Sequence, residues 1–253
     1  MRGKLGGLCV LGWGLLVVTG ILPAGAQTTD PRAPRTDTGA VQRGAYIAGA
    51  ANCANCHTTQ GGQAFAGGPA VSTPFGVFFP PNITPDRTHG IGQWSFDNFK
   101  RALRRGVSPN NTHYYPVFPY ASYTGMSDAD IADLWTYLRT VPPVAQINRP
   151  HEVGSPFSWR LLLAPWKVLF LDRGPIKPDS GKSPEWNRGR YLVEAVTHCA
   201  ECHTPRNLFA ALERSRYMAG VRNGVEGWDG PNISPDPETG IGRWSVEEIA
   251  GLL

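Results

Sequence analysis

The pattern Cys-x-x-Cys-His occurs twice, as Cys53-Ala54-Asn55-Cys56-His57 and as Cys199-Ala200-Glu201-Cys202-His203. No other feature of the chain restricts its fold as strongly. With the cysteine and histidine frequencies of this sequence, one chance match is expected about 0.002 times. Two thiols at this spacing can add across the two vinyl groups of one porphyrin edge, and the adjacent histidine can turn back to ligate the iron. Two disulfides within the same pairs would close very short loops and stabilise little. Zinc could take four thiolates, or three with one imidazole. Neither alternative accounts for a histidine directly after both pairs, so the motifs read as two sites of covalent haem attachment.

The surroundings of the motifs repeat as well. Pro81-Asn82-Ile83-Thr84-Pro85-Asp86 returns 150 positions later as Pro231-Asn232-Ile233-Ser234-Pro235-Asp236, and Gly90-Ile91-Gly92-Gln93-Trp94-Ser95 returns as Gly240-Ile241-Gly242-Arg243-Trp244-Ser245. The haem motifs lie 146 positions apart, and Gly44-Ala45-Tyr46 before the first matches Gly189-Arg190-Tyr191 before the second. One haem unit is therefore used twice, with small differences in loop length.

Each unit reads as short helices around loops. Val41 to Ala51 and Trp186 to Val196 are expected as lead helices running into the motifs, with Ile47 and Leu192 on their apolar faces. Ser95 caps a helix carrying Phe96, Phe99 and Leu103, which Gly106 ends. Ser127 and Asp130 have capping-box spacing ahead of Ile131, Leu134, Trp135 and Leu138, a helix stopped near Pro142. Nothing alternates over strand length, so the expected class is all-α. Gly and Pro together fill 53 of 253 positions; a chain so rich in loops needs a prosthetic group, metal or disulfide framework besides its apolar core.

These motifs, with Gly189-Arg190-Tyr191-Leu192, Phe65-Ala66-Gly67-Gly68 and the run from Met126 to Thr140 followed by Pro142-Pro143, resemble the cytochrome c subunits of bacterial periplasmic alcohol and related dehydrogenases. The resemblance covers nearly all of residues 40–253. It implies two class I cytochrome c folds, two covalent haems c, and electron transfer from a partner dehydrogenase or carrier towards the respiratory chain. The partner is a redox protein, and an electron-transfer role rather than an enzymatic one is implied. By the same resemblance, the carbonyl of Pro205 is expected to orient the His203 ring.

His57 and His203 are the expected iron ligands beside the cysteines. The methionines are Met1, Met126 and Met218. Relatives often carry one just before a Pro-Tyr pair, where this chain has Phe118, which leaves Met126 as the candidate sixth ligand of the first haem; the other role open to it is filling a core gap. In the second unit the corresponding methionine would fall near position 276, beyond Leu253, although Ser245 and Glu248 form a capping box for one more helix. The second unit is accordingly expected to be truncated at its C-terminus, with Met218 a poor substitute. Neither His89, His113, His151 nor His198 is expected to ligate the first iron, although His151 or His198 could serve an incomplete second site.

The expected organisation is a signal peptide over 1–26, a flexible N-terminus over 27–39, a first cytochrome c domain over 40–145, a linker over 146–185 and an incomplete second domain over 186–253. Arg2 and Lys4, the apolar run Leu8 to Leu22 and Ala24-Gly25-Ala26 make the signal, which implies a periplasmic protein. Its removal lowers the formal charge from +4 to +2, which excludes a nucleic-acid-binding case built on charge. Lys100, Arg101, Arg104 and Arg105 read either as a solvated helix end or as a steering patch. Trp94, Trp244, Asn82 and Asn232 read as turn and core residues or as haem contacts. Phe157 to Leu171 is too interrupted to span a membrane; it suits a helix packed across both units, or an apolar dock for a dehydrogenase or a membrane surface. The competing function is a haem enzyme, of peroxidase or thiosulfate-oxidising type, using an open or unusually ligated second iron.

Overall fold

A computed structural model describes residues 37–224 and 227–252. The expected signal segment 1–26 lies outside them. The first helix, α1 (Thr38–Ala50), opens where the Asp37 side chain accepts from the Gly39 N–H at 3.0 Å, so the helix starts inside the segment assigned to a loose N-terminus. Its buried face is Ala40, Gly44, Ile47 and Ala48, a helical spacing. Asn52, in the left-handed region at φ 51, turns the chain into the single-turn helix α2 (Cys53–His57).

A hairpin follows, β1 (Val71–Thr73) against β2 (Gly76–Phe78) with Val71 opposite Phe78. It is a small addition to a helical fold that fits the all-α expectation. Three-residue strands are too short to show alternation in a sequence, and their third partner is remote: Val77 exchanges both backbone hydrogen bonds with Glu152 at 2.9 Å.

The two capped helices expected after the first motif both form, the second ending at Leu138, a few residues before Pro142. Ser95 accepts from the Asn98 N–H to open α3 (Phe96–Arg105), and Gly106 closes it at φ 59. A β-carbon at Gly106 would stand 2.5 Å from the Tyr120 ring, so packing as well as conformation requires glycine there. After α4 (Tyr120–Tyr123), Ser127 caps α5 (Asp128–Leu138). The Ser127–Asp130 box is only half closed by its own residues. The Ser127 side chain accepts from the Asp130 N–H, but Asp130, one methylene shorter than Glu, does not return the bond; the Tyr191 hydroxyl accepts from the Ser127 N–H at 3.0 Å and donates to Asp130 at 2.5 Å.

The connecting segment contains a 3-10 turn (Arg160–Leu162) and α6 (Leu163–Phe170). The second copy opens with α7 (Pro184–Tyr191), continues into a π turn (Leu192–Val196), and carries α8 (Ala200–His203) and α9 (Val246–Leu252).

The core is the crossing of α1 and α5. A β-carbon on Gly44 would lie 2.0 Å from the Asp133 carbonyl oxygen, so only glycine allows the approach, which the Arg43–Asp133 pair at 2.6 Å closes at the rim. Ile47, Phe99, Leu103, Ile131, Leu134 and Leu138 fill it, each large aliphatic side chain contributing about 1.5–3 kcal/mol. Ala195 and Val196 from the second copy belong to the same core, and the described chain forms one compact unit. No helix among the described residues is long and apolar enough to cross a membrane.

Candidate functional site

The two Cys-x-x-Cys-His turns are held by the same set of bonds. The threonine after each histidine accepts from a backbone N–H of the returning loop: Thr58 from Phe65 at 3.1 Å, Thr204 from Met218 at 2.9 Å. Phe65 and Met218 both adopt positive φ, 62 and 59. The next glycine N–H then bonds the histidine carbonyl, Gly67 to His57 at 2.9 Å and Gly220 to His203 at 2.8 Å. Ile83 and Ile233 donate to the carbonyls of Phe65 and Met218 and bring in the Pro-Asn-Ile segments.

Those segments orient the imidazoles. His57 Nδ1 lies 2.7 Å from the Pro81 carbonyl oxygen and His203 Nδ1 lies 2.8 Å from that of Pro231. A carbonyl only accepts, so Nδ1 carries the proton and Nε2 keeps its lone pair for a metal. The expectation that Pro205 plays this part for His203 is corrected: the Pro205 carbonyl accepts from Glu213 N–H at 2.8 Å, within its own loop. Glycine permits the close approach of these loops, since β-carbons on Gly68 and Gly230 would fall 1.6 Å and 2.1 Å from the Cys56 and Cys202 carbonyl oxygens.

Burial, followed by the neighbouring Cys56, pushes the Cys53 thiol up to about 12, and burial also raises Cys202. Burial lowers His57, which keeps its ring neutral and able to ligate. Two thiols one helical turn apart, followed by an imidazole with a fixed ring and an available Nε2, fit covalent haem. They do not suit tetrahedral zinc: among the described residues, no three His, Cys, Asp or Glu side chains converge as a metal site.

The two turns meet at the carbonyl of Ala51. It accepts from the Tyr123 hydroxyl at 3.4 Å and from His198 Nε2 at 3.3 Å, and the Tyr123 and His198 rings stand edge to face at 5.5 Å. Ser122 bonds Glu201, inside the second motif, at 3.1 Å. Burial, then the neighbouring Cys53, Cys56 and Glu201, raises the Tyr123 phenol well above its ordinary range.

Other candidates have plain structural work. Asn82 donates to the carbonyls of Val144 and Gln146 while accepting from Thr84 N–H and hydroxyl, which makes it a buried turn residue. Asn232 accepts from Ser234 N–H and donates to Thr239, a local turn only. Trp94 packs on the core, whereas Trp244 is exposed. Lys100 and Arg104 pair with Asp128 at the start of α5 and clamp α3 to it, while Arg101 bonds the Ser108 and Pro109 carbonyls of the loop after α3. His113 bonds Lys167, and His151 accepts from Phe79 N–H. Met126 is fully enclosed at 0% exposure. Met218 occupies the position that Phe65 holds in the first copy.

The connecting helix does bridge the copies. Lys167 Nζ is buried and donates to the Arg105 and Gly106 carbonyls at 2.8 and 2.6 Å, at the C-terminal end of α3. On the other side, Trp166 donates to the Phe209 carbonyl and Phe170 stacks on the Phe209 ring. In the sequence Lys167 read only as one of the interruptions, with Arg160 and Pro165, of an apolar run, and its role as the anchor on α3 was not legible.

The cytochrome c family model matches residues 41–142. A diheme cytochrome c-type protein of Cereibacter sphaeroides is 42% identical over 231 residues, covering 89% of this chain and 76% of that protein. The fructose dehydrogenase cytochrome subunit of Gluconobacter japonicus is 41% identical over 231 residues, covering 90% of this chain and 47% of the relative. The gluconate 2-dehydrogenase cytochrome c subunit of Pantoea cypripedii is 39% identical over 247 residues, covering 94% and 55%. The chain thus spans about half the length of these two dehydrogenase subunits.

Proposed function

The chain belongs to the cytochrome c family, and on that premise we propose that it is a periplasmic two-haem electron carrier, accepting electrons from a partner dehydrogenase and passing them towards the respiratory chain. Haem c, when bound, supplies an iron that alternates between ferric and ferrous states. Cys53 and Cys56 would hold one group and Cys199 and Cys202 the other, through thioether bonds to its two vinyl groups. His57 and His203 present Nε2 to the irons, and Pro81 and Pro231 fix their rings.

One observation carries this reading: the bonds that orient the ligand histidine recur in both loops, and the two attachment turns touch through Ala51, Tyr123 and His198. Adjacent attachment turns suit electron exchange between two haems. The dehydrogenase partner is supported by the names of the relatives. The exposed side chains Trp159, Leu161 and Leu169 of the connecting segment are the surface we assign to that partner or to peripheral contact with a membrane. Production with a periplasmic haem-maturation system, followed by a pyridine haemochrome assay, tests the reading. Two haems per chain, reducible by a co-purified dehydrogenase and its substrate, are expected; metal-bound or unmodified cysteines would refute it.

A further inference from the structure

Met126 precedes Ser127, the N-cap of α5, and therefore occupies the position from which an apolar side chain packs against the fourth residue of the helix. That residue is Ile131. Both are 0% exposed and both belong to the core between α1 and α5. The backbone on either side is covered as well. Thr124 accepts from Gly174 N–H at its side chain and from Arg104 at its carbonyl, Gly125 accepts from Ile176 N–H, and Ser127 is met by Tyr191.

Resting on haem attachment at Cys53 and Cys56, we propose that Met126 is the staple of α5 and not an iron ligand, so that the first haem keeps a coordination position that no methionine of the described chain closes and that admits a small exogenous ligand such as carbon monoxide. Met218 offers no replacement, since it fills the Phe65 position of the other copy at φ 59 and is 7% exposed. Three of the remaining histidines already hold protein partners: His113 with Lys167, His151 with Phe79 and His198 with Ala51. Phe118, beside Tyr123 at 5.8 Å between ring centroids, contributes a surface without a donor atom.

The test is carbon monoxide titration of the reduced holoprotein together with ferric spectra, for the full chain and for Met126→Leu, which preserves the apolar volume. The Cys199→Ala, Cys202→Ala double variant isolates the first haem. Mass analysis separates failure of attachment from failure of this proposal. The expected result is carbon monoxide binding at the first haem, with uptake and the thioether-to-ferric charge-transfer region unchanged in Met126→Leu. Met126→Ala should lower the melting temperature without altering either spectrum. If the double variant does not fold, binding of two carbon monoxide molecules per two-haem chain, the same in the full chain and in Met126→Leu, supports the proposal. An added carbon monoxide per chain in Met126→Leu, or loss of a charge-transfer band, overturns it by making Met126 the ligand. A first haem inert in both forms also overturns it, because another side chain then closes the iron.

Discussion

Gly44 and Gly189 stand at matching places in the two copies of the repeat, yet one is wedged against a helix and the other faces open space. A β-carbon at Gly44 would strike the Asp133 carbonyl at 2.0 Å; at Gly189 nothing lies within 4 Å. The same contrast recurs downstream. Ile91 is buried at 3% exposure in the core with α5, and Arg139, just after α5, donates to the Gly92 carbonyl, while Ile241 is half-exposed and α9 buries none of its residues among the described ones. The short-range bonds are nevertheless the same: Ile91 to Thr84 and Ile241 to Ser234 are both 2.9 Å, and Trp94 to Ile91 and Trp244 to Ile241 are both 3.0 Å. Local sequence builds the loop around each haem motif; long-range packing onto it is a separate contribution, present in the first copy.

Glycine substitution separates the two contributions most strongly. Gly44→Ala should force α1 from α5 and cost about 3 kcal/mol by overpacking, whereas Gly189→Ala should change stability by less than about 1 kcal/mol, in the stabilising direction, by removing backbone freedom from an exposed helix. Urea unfolding of both variants measures the difference, and equal effects would erase the distinction between the copies.

The connecting helix is tied to the first copy through Lys167 and to the second through Trp166 and Phe170, which makes the first attachment pH-dependent. Burial lowers the Lys167 ammonium from 10.5 to about 8. Below pH 8 the group is protonated in folded and unfolded chains alike. Between about 8 and 10.5 the unfolded chain binds the proton and the folded one does not, so this contribution to stability rises with pH, by on the order of 2–3 kcal/mol. Subtracting the pH–stability curve of Lys167→Met should isolate that rise; a flat difference would mean the amine is solvated in the folded protein.

Asn82→Ala should cost about 2 kcal/mol, because the Val144 and Gln146 carbonyls lose their donor in a buried place. Asn232→Ala, in a local turn, should cost about 0.5 kcal/mol. Thermal melts would show the two values converge only if Asn232 acquires burial in solution. The smallest effect is one in which the copies agree. Asp86 and Asp236 both sit below the ordinary carboxylate value of 3.8, held there by the backbone N–H groups of His89 and Thr88 and by the N–H and hydroxyl of Thr239 respectively. Their contribution is present above that range and fades as pH falls through the lowered values, and carboxyl titration by NMR should give matching shifts.

The motif pairs, the Ser95 and Gly106 helix ends and the Ser245–Glu248 capping box were legible because each depends on residues a few positions apart. The box closes in both directions, at 2.7 and 3.1 Å. What escaped was long-range. The hairpin is completed by Glu152, the Ser127 box by Tyr191, and the ring of His203 is oriented by Pro231, 28 positions on, rather than by the nearby Pro205. The repetition of Pro81 and Pro231 at the head of each Asn-Ile segment was the available signal for that last role.

Intact-mass analysis of the chain matured in a haem-attaching host tests the central claim most directly, namely that both loops receive a haem although, among the described residues, long-range helix packing is seen over the first. The account predicts two haem additions, one lost on Cys53→Ala with Cys56→Ala and the other on Cys199→Ala with Cys202→Ala. A single addition confined to Cys53 and Cys56 would contradict it, showing that the loop alone does not make the site.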